Sequence, residues 1–163
     1  MSDNGIVLDA IDRELLTVLQ ANARISNAEL ARRVELSPSG LQKRLRRLEV
    51  NGYIERYATI LNRHKIGYEL MVFVHISLQR HIASGFEAFR QEVVRLPEVL
   101  ECYNLTGADD YILKVIVKDV SHLENFLLRQ LTAMPAVDKV RTGLVLNEIK
   151  STTSIPVDEV DPA

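Results

Sequence analysis

The residues with the clearest chemical potential lie in one stretch, 37–49, with the sequence SPSGLQKRLRRLE. Ser37 is a typical N-cap, and the proline after it suits the first helical position, where a missing N–H costs nothing. Leucines at 41, 45 and 48 recur at helical spacing, which leaves a second face of small, hydroxylated and cationic side chains. That face and its flanks hold Ser37, Ser39, Gly40, Gln42, Lys43, Arg46 and Arg47.

Such a face suits the major groove of DNA. Small residues allow close approach, and Arg, Lys and Gln supply hydrogen-bond donors for phosphates and base edges. We predict Gln42 and Lys43 as base-reading residues and Arg46 and Arg47 as phosphate contacts. The alternative is a solvated basic face on an ordinary helix, since short basic runs are common.

Two shorter segments precede this helix and give it a context. Asp9 is a typical N-cap for a first helix, with Asp12 three residues later as a weaker capping-box partner. Ser26 and Glu29 form a capping box at the start of a second helix of about two turns, joined to the basic helix at 35–36. Two helices with so short a connection are typical of a helix-turn-helix, whose second helix reads DNA. The pattern favours DNA binding over a solvated face.

The composition indicates a division of labour between the two parts of the chain. The 163 residues suffice for one large or two small domains, and 47% of them are hydrophobic. Residues 1–65 carry a net charge of +3 and residues 66–163 one of −5, within the total of −2. A basic first part beside an acidic remainder favours DNA contact in the first and a different role in the second.

Other sequence features bear on the cellular compartment. No apolar run reaches the roughly 20 residues of a membrane span, and no signal segment opens the chain, so we expect no membrane partner. The single cysteine, Cys102, excludes an intrachain disulfide and fits a reducing cytosol, which predicts a cytoplasmic protein. Cys102 lies in a predicted strand, where we expect it to be a small buried hydrophobe.

The sequence holds no pattern typical of an enzyme. Neither a nucleophile elbow, a P-loop nor a dinucleotide fingerprint occurs, and no pair of His and Cys has a metal-ligand spacing on one face. Asp109 and Asp110 are adjacent at a predicted turn, and such neighbours rarely converge on one substrate. We therefore predict a protein with no enzymatic activity, no metal and no cofactor. The four histidines are His64, His75, His81 and His122.

From residue 69 the apolar period alternates between that of strands and that of helices. A helix that Ser84 can cap follows the first strand and closes before Pro97. The predicted strands are 72–79, 99–105, 111–117 and 137–149, and the second helix is 120–134. This βαββαβ order is the ferredoxin-like split βαβ arrangement, so the predicted fold class is α+β: a helix-turn-helix (winged-helix-like) domain followed by a ferredoxin-like domain.

Several short motifs follow one another in the order and at the spacing of a known family. They are LDAIDR at 8–13, NARIS at 22–26, LSPS at 36–39, RRLE at 46–49, GYI at 52–54, LPEVLEC at 96–102, Thr106-Gly107, Asp110-Tyr111, Arg141-Thr142 and KSTT at 150–153. Together they make the chain similar to the Lrp/AsnC family of bacterial and archaeal regulators, also called leucine-responsive or feast/famine proteins. The resemblance covers nearly the whole length.

The resemblance implies a transcription regulator that binds double-stranded DNA and responds to a small molecule. In such proteins the sheets of two subunits pair into a homodimer, and dimers commonly assemble further, often to octamers. The family's effector pocket lies between dimers and usually holds an amino acid. The implied domains are 1–61 for DNA binding, a linker at 62–68, 69–150 for assembly and effector binding, and a C-terminal tail at 151–163.

The implied effector site falls on the turn after the second strand. A turn with a glycine, exposed backbone N–H groups and carboxylates suits a zwitterion, whose carboxylate and ammonium would take the N–H groups and an Asp. The alternative is a plain hairpin turn, because Gly and Asp are ordinary turn residues. The implied effector-binding residues are Thr106, Gly107, Asp109, Asp110, Tyr111 and Gly143.

The chain departs from the family pattern at several positions. Glu35 stands where the family often has Gly, and Gly40 where it often has a larger residue. Ala108-Asp109 replaces the more usual Asp-aromatic pair, and Gly143 replaces a common aromatic. The last two departures affect the implied effector site, so they bear on ligand identity. The alternative function is a metabolite-sensing assembly protein whose DNA binding is weak or architectural.

Overall fold

The computed structural model describes residues 7–79 and 85–157 of the chain. It divides into two compact units. One unit comprises Met1–Ile60 together with Lys150–Ala163, and the other comprises Leu61–Ile149. Within the described ranges, no helix combines the length and apolar character that a membrane span requires.

The first unit is built on three helices: α1 (Ala10–Ala21), α2 (Asn27–Arg33) and α3 (Pro38–Val50). Each begins at the cap that the sequence predicts. The Asp9 carboxylate accepts a hydrogen bond from the Asp12 N–H at 2.8 Å, and Asp12 accepts one from the Asp9 N–H, a complete capping box. Ser26 and Ser37 cap α2 and α3 through their hydroxyls. The predicted helix-turn-helix is confirmed.

Leucine side chains from all three helices form the core of this helical unit. Leu15 of α1, Leu30 of α2, and Leu41 and Leu48 of α3 are almost fully buried. Within each helix the apolar residues recur at helical spacing, which is why one face of each helix is buried. The core fixes the rotation of α3, so the opposite face of that helix meets solvent.

Helices α2 and α3 end in the same motif with different residues. At the end of α3, Gly52 has a φ of +74°, and the Tyr53 N–H donates to the Leu48 carbonyl. At the end of α2, Glu35 takes the equivalent position with a φ of +54°, and the Leu36 N–H donates to the Ala31 carbonyl. Both are Schellman motifs, which favour glycine because a side chain is strained at positive φ.

The replacement Glu35→Gly is expected to raise the free energy of unfolding of the helical unit by about 0.5–1 kcal/mol. Relief of left-handed strain contributes about 1–2 kcal/mol, and the greater freedom of unfolded glycine offsets about 0.4–1 kcal/mol. Urea denaturation followed by circular dichroism measures the change. The control, Glu14→Gly in the exposed face of α1, should destabilise by about 0.5–1 kcal/mol. Two changes of the same sign would contradict the strain at Glu35.

The sequence predicts a short extended wing or a connector at residues 53–61, after α3, and the structure shows a connector. Residues 54–62, all described, form no strand. The Tyr57 hydroxyl donates to Glu49 of α3 at 3.0 Å, so this segment is held as a connector. The β-branched and aromatic residues that favoured a strand have no partner strand to pair with in this unit.

The second unit is a four-stranded antiparallel sheet in the order β2-β3-β1-β4. Its strands are β1 (Leu70–Leu78), β2 (Val99–Asn104), β3 (Tyr111–Val117) and β4 (Val137–Leu144), and its helices are α4 (Gly85–Val93) and α5 (Val120–Asn125), which continues as a π-helix over Phe126–Leu131. This arrangement confirms the predicted βαββαβ order and the α+β class. Strand β4 ends at Leu144, five residues before its predicted end. Ser84, the predicted cap of α4, lies outside the described residues.

The two faces of the sheet have different surroundings. Val72, Val74 and Ile76 of β1 lie on the face that packs against the helices, together with Leu113 and Val115 of β3. The intervening positions of the central strands point to the other face, because successive side chains of a strand alternate. We call this second face the outer face. It carries Phe73, His75, Ser77, Ile112, Lys114, Ile116 and Arg141.

The segment that follows the sheet belongs to the helical unit. The Ile155 backbone exchanges two hydrogen bonds with the Gln20 side chain of α1, at 2.7 and 2.9 Å. Val157 packs against the leucine core of the three helices. From the sequence we expect residues 151–163 to be a free tail unless a partner subunit holds them. Over residues 150–157 the chain's own helical unit holds it instead.

Candidate nucleic-acid interface and ligand turn

The solvent-facing side of α3 carries most of the predicted DNA-binding residues. Ser39, Gln42, Lys43 and Arg46 are exposed. The Ser37 hydroxyl accepts the Gly40 N–H at 3.1 Å and lies 3.3 Å from the Ser39 hydroxyl. This face therefore offers hydroxyl, amide and cationic donors on successive turns of a capped helix.

Gly40 contributes space rather than a contact. It is half-buried, and a Cβ placed on it would come within 3.1 Å of the Ser37 hydroxyl. A larger residue at this position would press against the cap of α3. The absence of a side chain at Gly40 leaves the start of the helix open to close approach.

Arg47 is predicted to contact phosphate, but its guanidinium does not lie on the solvent-facing side of α3. Its guanidinium Nη2 donates to the Asp12 carboxylate, and its Nε is buried without a hydrogen-bond partner among the described residues. Its side chain is 39% exposed. One edge of the guanidinium is thus held inside the helical unit, so Arg47 is poorly placed to contact phosphate.

Arg44 joins the same cluster. Its Nη1 donates to Asp9 at 2.6 Å and to Asp12 at 2.9 Å. Asp12 has no exposed surface, so two guanidinium groups compensate a fully buried carboxylate. We call Asp9, Asp12, Arg44 and Arg47 the Asp12 cluster. It ties the start of α1 to the middle of α3.

Sequence reasoning missed the Asp12 cluster and assigned Asp12 only to capping. A signal was available, because Asp12 lies three and four residues before Leu15 and Leu16, on the buried face of α1. A carboxylate at such a position requires a cation. Which cation supplies it depends on the packing of α1 against α3, which the local pattern does not contain.

The Asp9 carboxyl has a pKa below its ordinary value. The Asp12 backbone N–H is the largest cause, and the hydrogen bond from Arg44 adds to it. A lowered pKa in the folded state means that ionised Asp9 stabilises the fold above about pH 4 and that this contribution is lost as pH falls further.

The variant Asp9→Asn is expected to change the acid sensitivity of the helical unit. Asparagine still caps a helix but carries no charge for Arg44. The wild-type chain should be more stable than the variant at pH 7, and the difference should shrink as pH falls from about 5 to 3. Urea titrations across this range measure it. A difference that stays constant with pH would contradict the stabilising charge.

The turn between β2 and β3 carries the implied effector residues. Thr106, Gly107 and Ala108 are exposed, and Gly107 has a φ of +140°, a conformation that favours glycine. Asp109 lies at the outer face of the sheet. There its carboxylate meets His75 Nδ1 at 3.1 Å, the Ser77 hydroxyl at 3.5 Å and the Arg141 guanidinium.

Opposing effects act on the Asp109 carboxyl. Burial raises its pKa, whereas the hydrogen bond and charge of Arg141, and then His75, lower it, and the result lies below the ordinary value. Asp109 is therefore ionised at neutral pH, and its charge is compensated within the chain. An ammonium ligand would have to compete with Arg141 for this carboxylate.

Asp110 holds the sheet together at the same turn. Its Oδ2 accepts the Leu78 N–H at 2.7 Å, and its own N–H donates to the Ile76 carbonyl at 2.9 Å. These bonds join the end of β1 to the start of β3. The carboxylate predicted to receive an effector ammonium thus already accepts a backbone hydrogen bond.

Tyr111 and Gly143 lie on opposite sides of the sheet. The Tyr111 side chain is 2% exposed, packs on Phe89 with a ring separation of 4.9 Å, and accepts a hydrogen bond from Arg90 Nε at 2.9 Å. Gly143 is exposed and pairs with Phe73. Asp109 and Gly143 therefore share the outer face, whereas the Tyr111 side chain lies on the helix side of the sheet.

Two family models match the chain. One, described as the Lrp/AsnC ligand binding domain, matches residues 71–155, and one described as winged helix-turn-helix DNA-binding matches residues 8–55. The leucine-responsive regulatory protein of Escherichia coli K12 is 41% identical over 153 residues, 94% of this chain and 93% of that protein. The transcriptional regulator AzlB of Bacillus subtilis is 36% identical over 156 residues, 96% of this chain and 99% of that protein.

The chain belongs to the Lrp/AsnC family. A transcriptional regulator of Neisseria meningitidis, solved in complex with L-Met, superimposes with a TM-score of 0.90 at 38% identity, over 93% of this chain and 98% of that one. AsnC of Escherichia coli gives a TM-score of 0.83 at 26% identity, over 91% and 99% of the two chains.

Family membership establishes the general function. The chain is a DNA-binding transcriptional regulator with a helix-turn-helix domain and a ligand-binding domain. In residues 7–79 and 85–157, no group of three or more His, Cys, Asp or Glu is placed to hold a metal ion. His81 lies outside these ranges.

The single cysteine of this Lrp/AsnC chain, Cys102, is exposed. The prediction that Cys102 is buried is wrong, because β2 lies at the edge of the sheet and Cys102 is exposed there. Partial burial still raises the pKa of the thiol, although the charge of Arg90 opposes this. At neutral pH the thiol is protonated and a poor nucleophile.

Proposed function

We propose that the chain reads specific double-stranded DNA sites with the exposed face of α3. The observation that carries this is the joint exposure of Gln42, Lys43 and Arg46 on one capped helix of a helix-turn-helix. Gln42 and Lys43 are proposed to read base edges, and Arg46 to contact phosphate. Ser37, Ser39 and Gly40 allow the start of the helix to approach the groove.

A binding assay on a selected operator tests this interface. Gln42→Ala should cost about 1–3 kcal/mol and relax specificity at one base position. Arg46→Ala should weaken binding to all DNA alike and lower the log–log salt slope by about 0.9. The control is Arg95→Ala in the sheet unit, whose guanidinium pairs with Glu92, and it should change neither quantity.

Two outcomes would contradict sequence-specific reading by α3. One is equal affinity for selected and random DNA at physiological salt, which would favour the architectural alternative. The other is a normal specificity profile in Gln42→Ala and Lys43→Ala. Two-fold symmetry further predicts paired half-sites about one helical turn, or a multiple of it, apart.

We also propose that an amino acid, or a related small metabolite, modulates DNA binding from the turn at 106–110. The ligand-binding family model and the relative solved with L-Met support the ligand class. The exposed Thr106 and Gly107 could meet a ligand carboxylate through their backbone, and Gly143 leaves space on the outer face nearby. Asp109, Asp110 and Tyr111 would then act by holding the turn in shape.

Thermal unfolding against the twenty amino acids tests the effector. A ligand at about 100 times its Kd should add about 2.7 kcal/mol of apparent stability. Gly107→Ala, which disfavours the positive φ of the turn, should reduce this gain, and Thr132→Ala at an exposed threonine after α5 should not. No gain with any amino acid would contradict an amino-acid effector.

The proposed regulator acts as a homodimer or a larger homo-oligomer such as an octamer. The outer face of the sheet carries Phe73, 38% exposed, beside the paired charges of Lys114 and Glu101. Such a mixed surface suits a second copy better than open solvent. Light scattering should give at least twice the 18.5 kDa chain mass. A monomer at all concentrations would refute the proposal.

A further inference from the structure

Helix α3 has four cationic side chains, but they fall into two pairs with different surroundings. Lys43 and Arg46 are exposed. Arg44 and Arg47 turn toward α1, where both donate to Asp12. Only half of the positive charge that the sequence places on this helix therefore lies on the side that faces solvent.

The partner carboxylate has little freedom to release these arginines. Asp12 has no exposed surface, and an uncompensated buried carboxylate is strongly unfavourable. Asp12 also accepts the Asp9 N–H and so lies at the start of α1. If a phosphate drew both arginines away, the Asp12 side chain would be left in the helical core without a cation to compensate it.

We propose that Asp12 is a positioning residue that withdraws the charges of Arg44 and Arg47 from the DNA-binding face, so that base contacts rather than bulk charge dominate recognition. The inference rests on the proposed DNA interface and adds a control of specificity to it. Affinity for DNA of any sequence grows with the number of phosphates that Lys and Arg neutralise. Withdrawing two cations lowers that affinity, whereas the base contacts of Gln42 and Lys43 are kept.

The experiment compares two adjacent arginines of α3, Arg46 and Arg47. Binding of the purified full chain to an operator and to random DNA is measured from 50 to 300 mM salt. Arg46→Met should lower the log–log salt slope by about 0.9, whereas Arg47→Met should leave the slope unchanged. Methionine keeps an apolar stem in both variants, which limits the loss of packing.

A third variant tests Asp12 itself. Asp12→Asn keeps the shape of the side chain but frees guanidinium charge, so its salt slope should rise by about 0.9 and its preference for the operator over random DNA should fall. A purely structural role would lower stability and operator affinity without a steeper slope. If Asp12→Asn does not fold, the comparison of Arg46→Met with Arg47→Met decides alone.

Each result has a distinct meaning. An unchanged slope in Arg47→Met together with a lower slope in Arg46→Met supports the inference. Equal losses of slope in both variants would overturn it, because Arg47 would then contact phosphate. If neither variant changed the slope, the DNA interface proposed on α3 would itself be wrong.

Discussion

Replacement of Asp12 by alanine is expected to lower the free energy of unfolding of the helical unit by about 3 kcal/mol. The buried carboxylate accepts two charge-assisted hydrogen bonds, each contributing about 1.5–3 kcal/mol. The lower end applies because Arg44 and Arg47 are 25% and 39% exposed and can turn toward water. The lost capping bond to the Asp9 N–H adds to the effect.

Urea denaturation monitored by circular dichroism measures this loss. Glu14→Ala is the matched control, since Glu14 is an exposed carboxylate on the same helix and its replacement should change stability by no more than about 0.5 kcal/mol. Arg47→Ala should cost less than Asp12→Ala, because Asp12 keeps the hydrogen bond from Arg44. A loss under 1 kcal/mol in Asp12→Ala would show that the cluster does little for the fold.

Replacement of Tyr111 by alanine is expected to destabilise the sheet unit by about 3–5 kcal/mol, the range for large aromatic residues truncated in a core. The ring projects from β3 and packs against Phe86 and Phe89 of α4. Tyr111→Phe should cost only about 1 kcal/mol, because it removes one hydroxyl and its hydrogen bond from Arg90.

The pair of variants also separates a core residue from a ligand contact. Tyr111→Phe should keep the full thermal response to the effector, because the hydroxyl faces Arg90 on the helix side of the sheet. The control is Tyr103→Phe on the edge strand, where the hydroxyl donates to Glu101 at the surface. If Tyr111→Phe lost the thermal response to the effector while its stability stayed unchanged, Tyr111 would be shown to contact the effector.

Local rules predicted the elements well because the physical causes are local. Asp9, Ser26 and Ser37 start helices through bonds to residues three positions away, so the sequence alone contains both partners. The alternation of Val72, Val74 and Ile76 likewise predicted the buried face of β1. The βαββαβ order of these elements then predicted the ferredoxin-like arrangement, and the family resemblance agreed with it.

The candidate site was less predictable because its contacts join distant parts of the chain. Arg47 and Asp12 are 35 residues apart, and only the packing of α1 on α3 brings them together. Asp109 and Tyr111 lie on opposite faces of the sheet because Asp109 still belongs to the turn. Tyr111 is the first residue of β3, and its side chain points toward the helices. The sequence left a wing and a connector open at 53–61, because strand propensity does not show whether a partner strand exists.

The segment at 150–157 has a consequence for the order in which the protein is made. The helices α1–α3 leave the ribosome first, but the backbone partner of Gln20 and the packing of Val157 are synthesised after the whole sheet. The DNA-reading unit is therefore completed last, once the ligand-binding unit exists. A nascent chain that stalls within the sheet lacks Ile155 and Val157, so its helical core is incomplete.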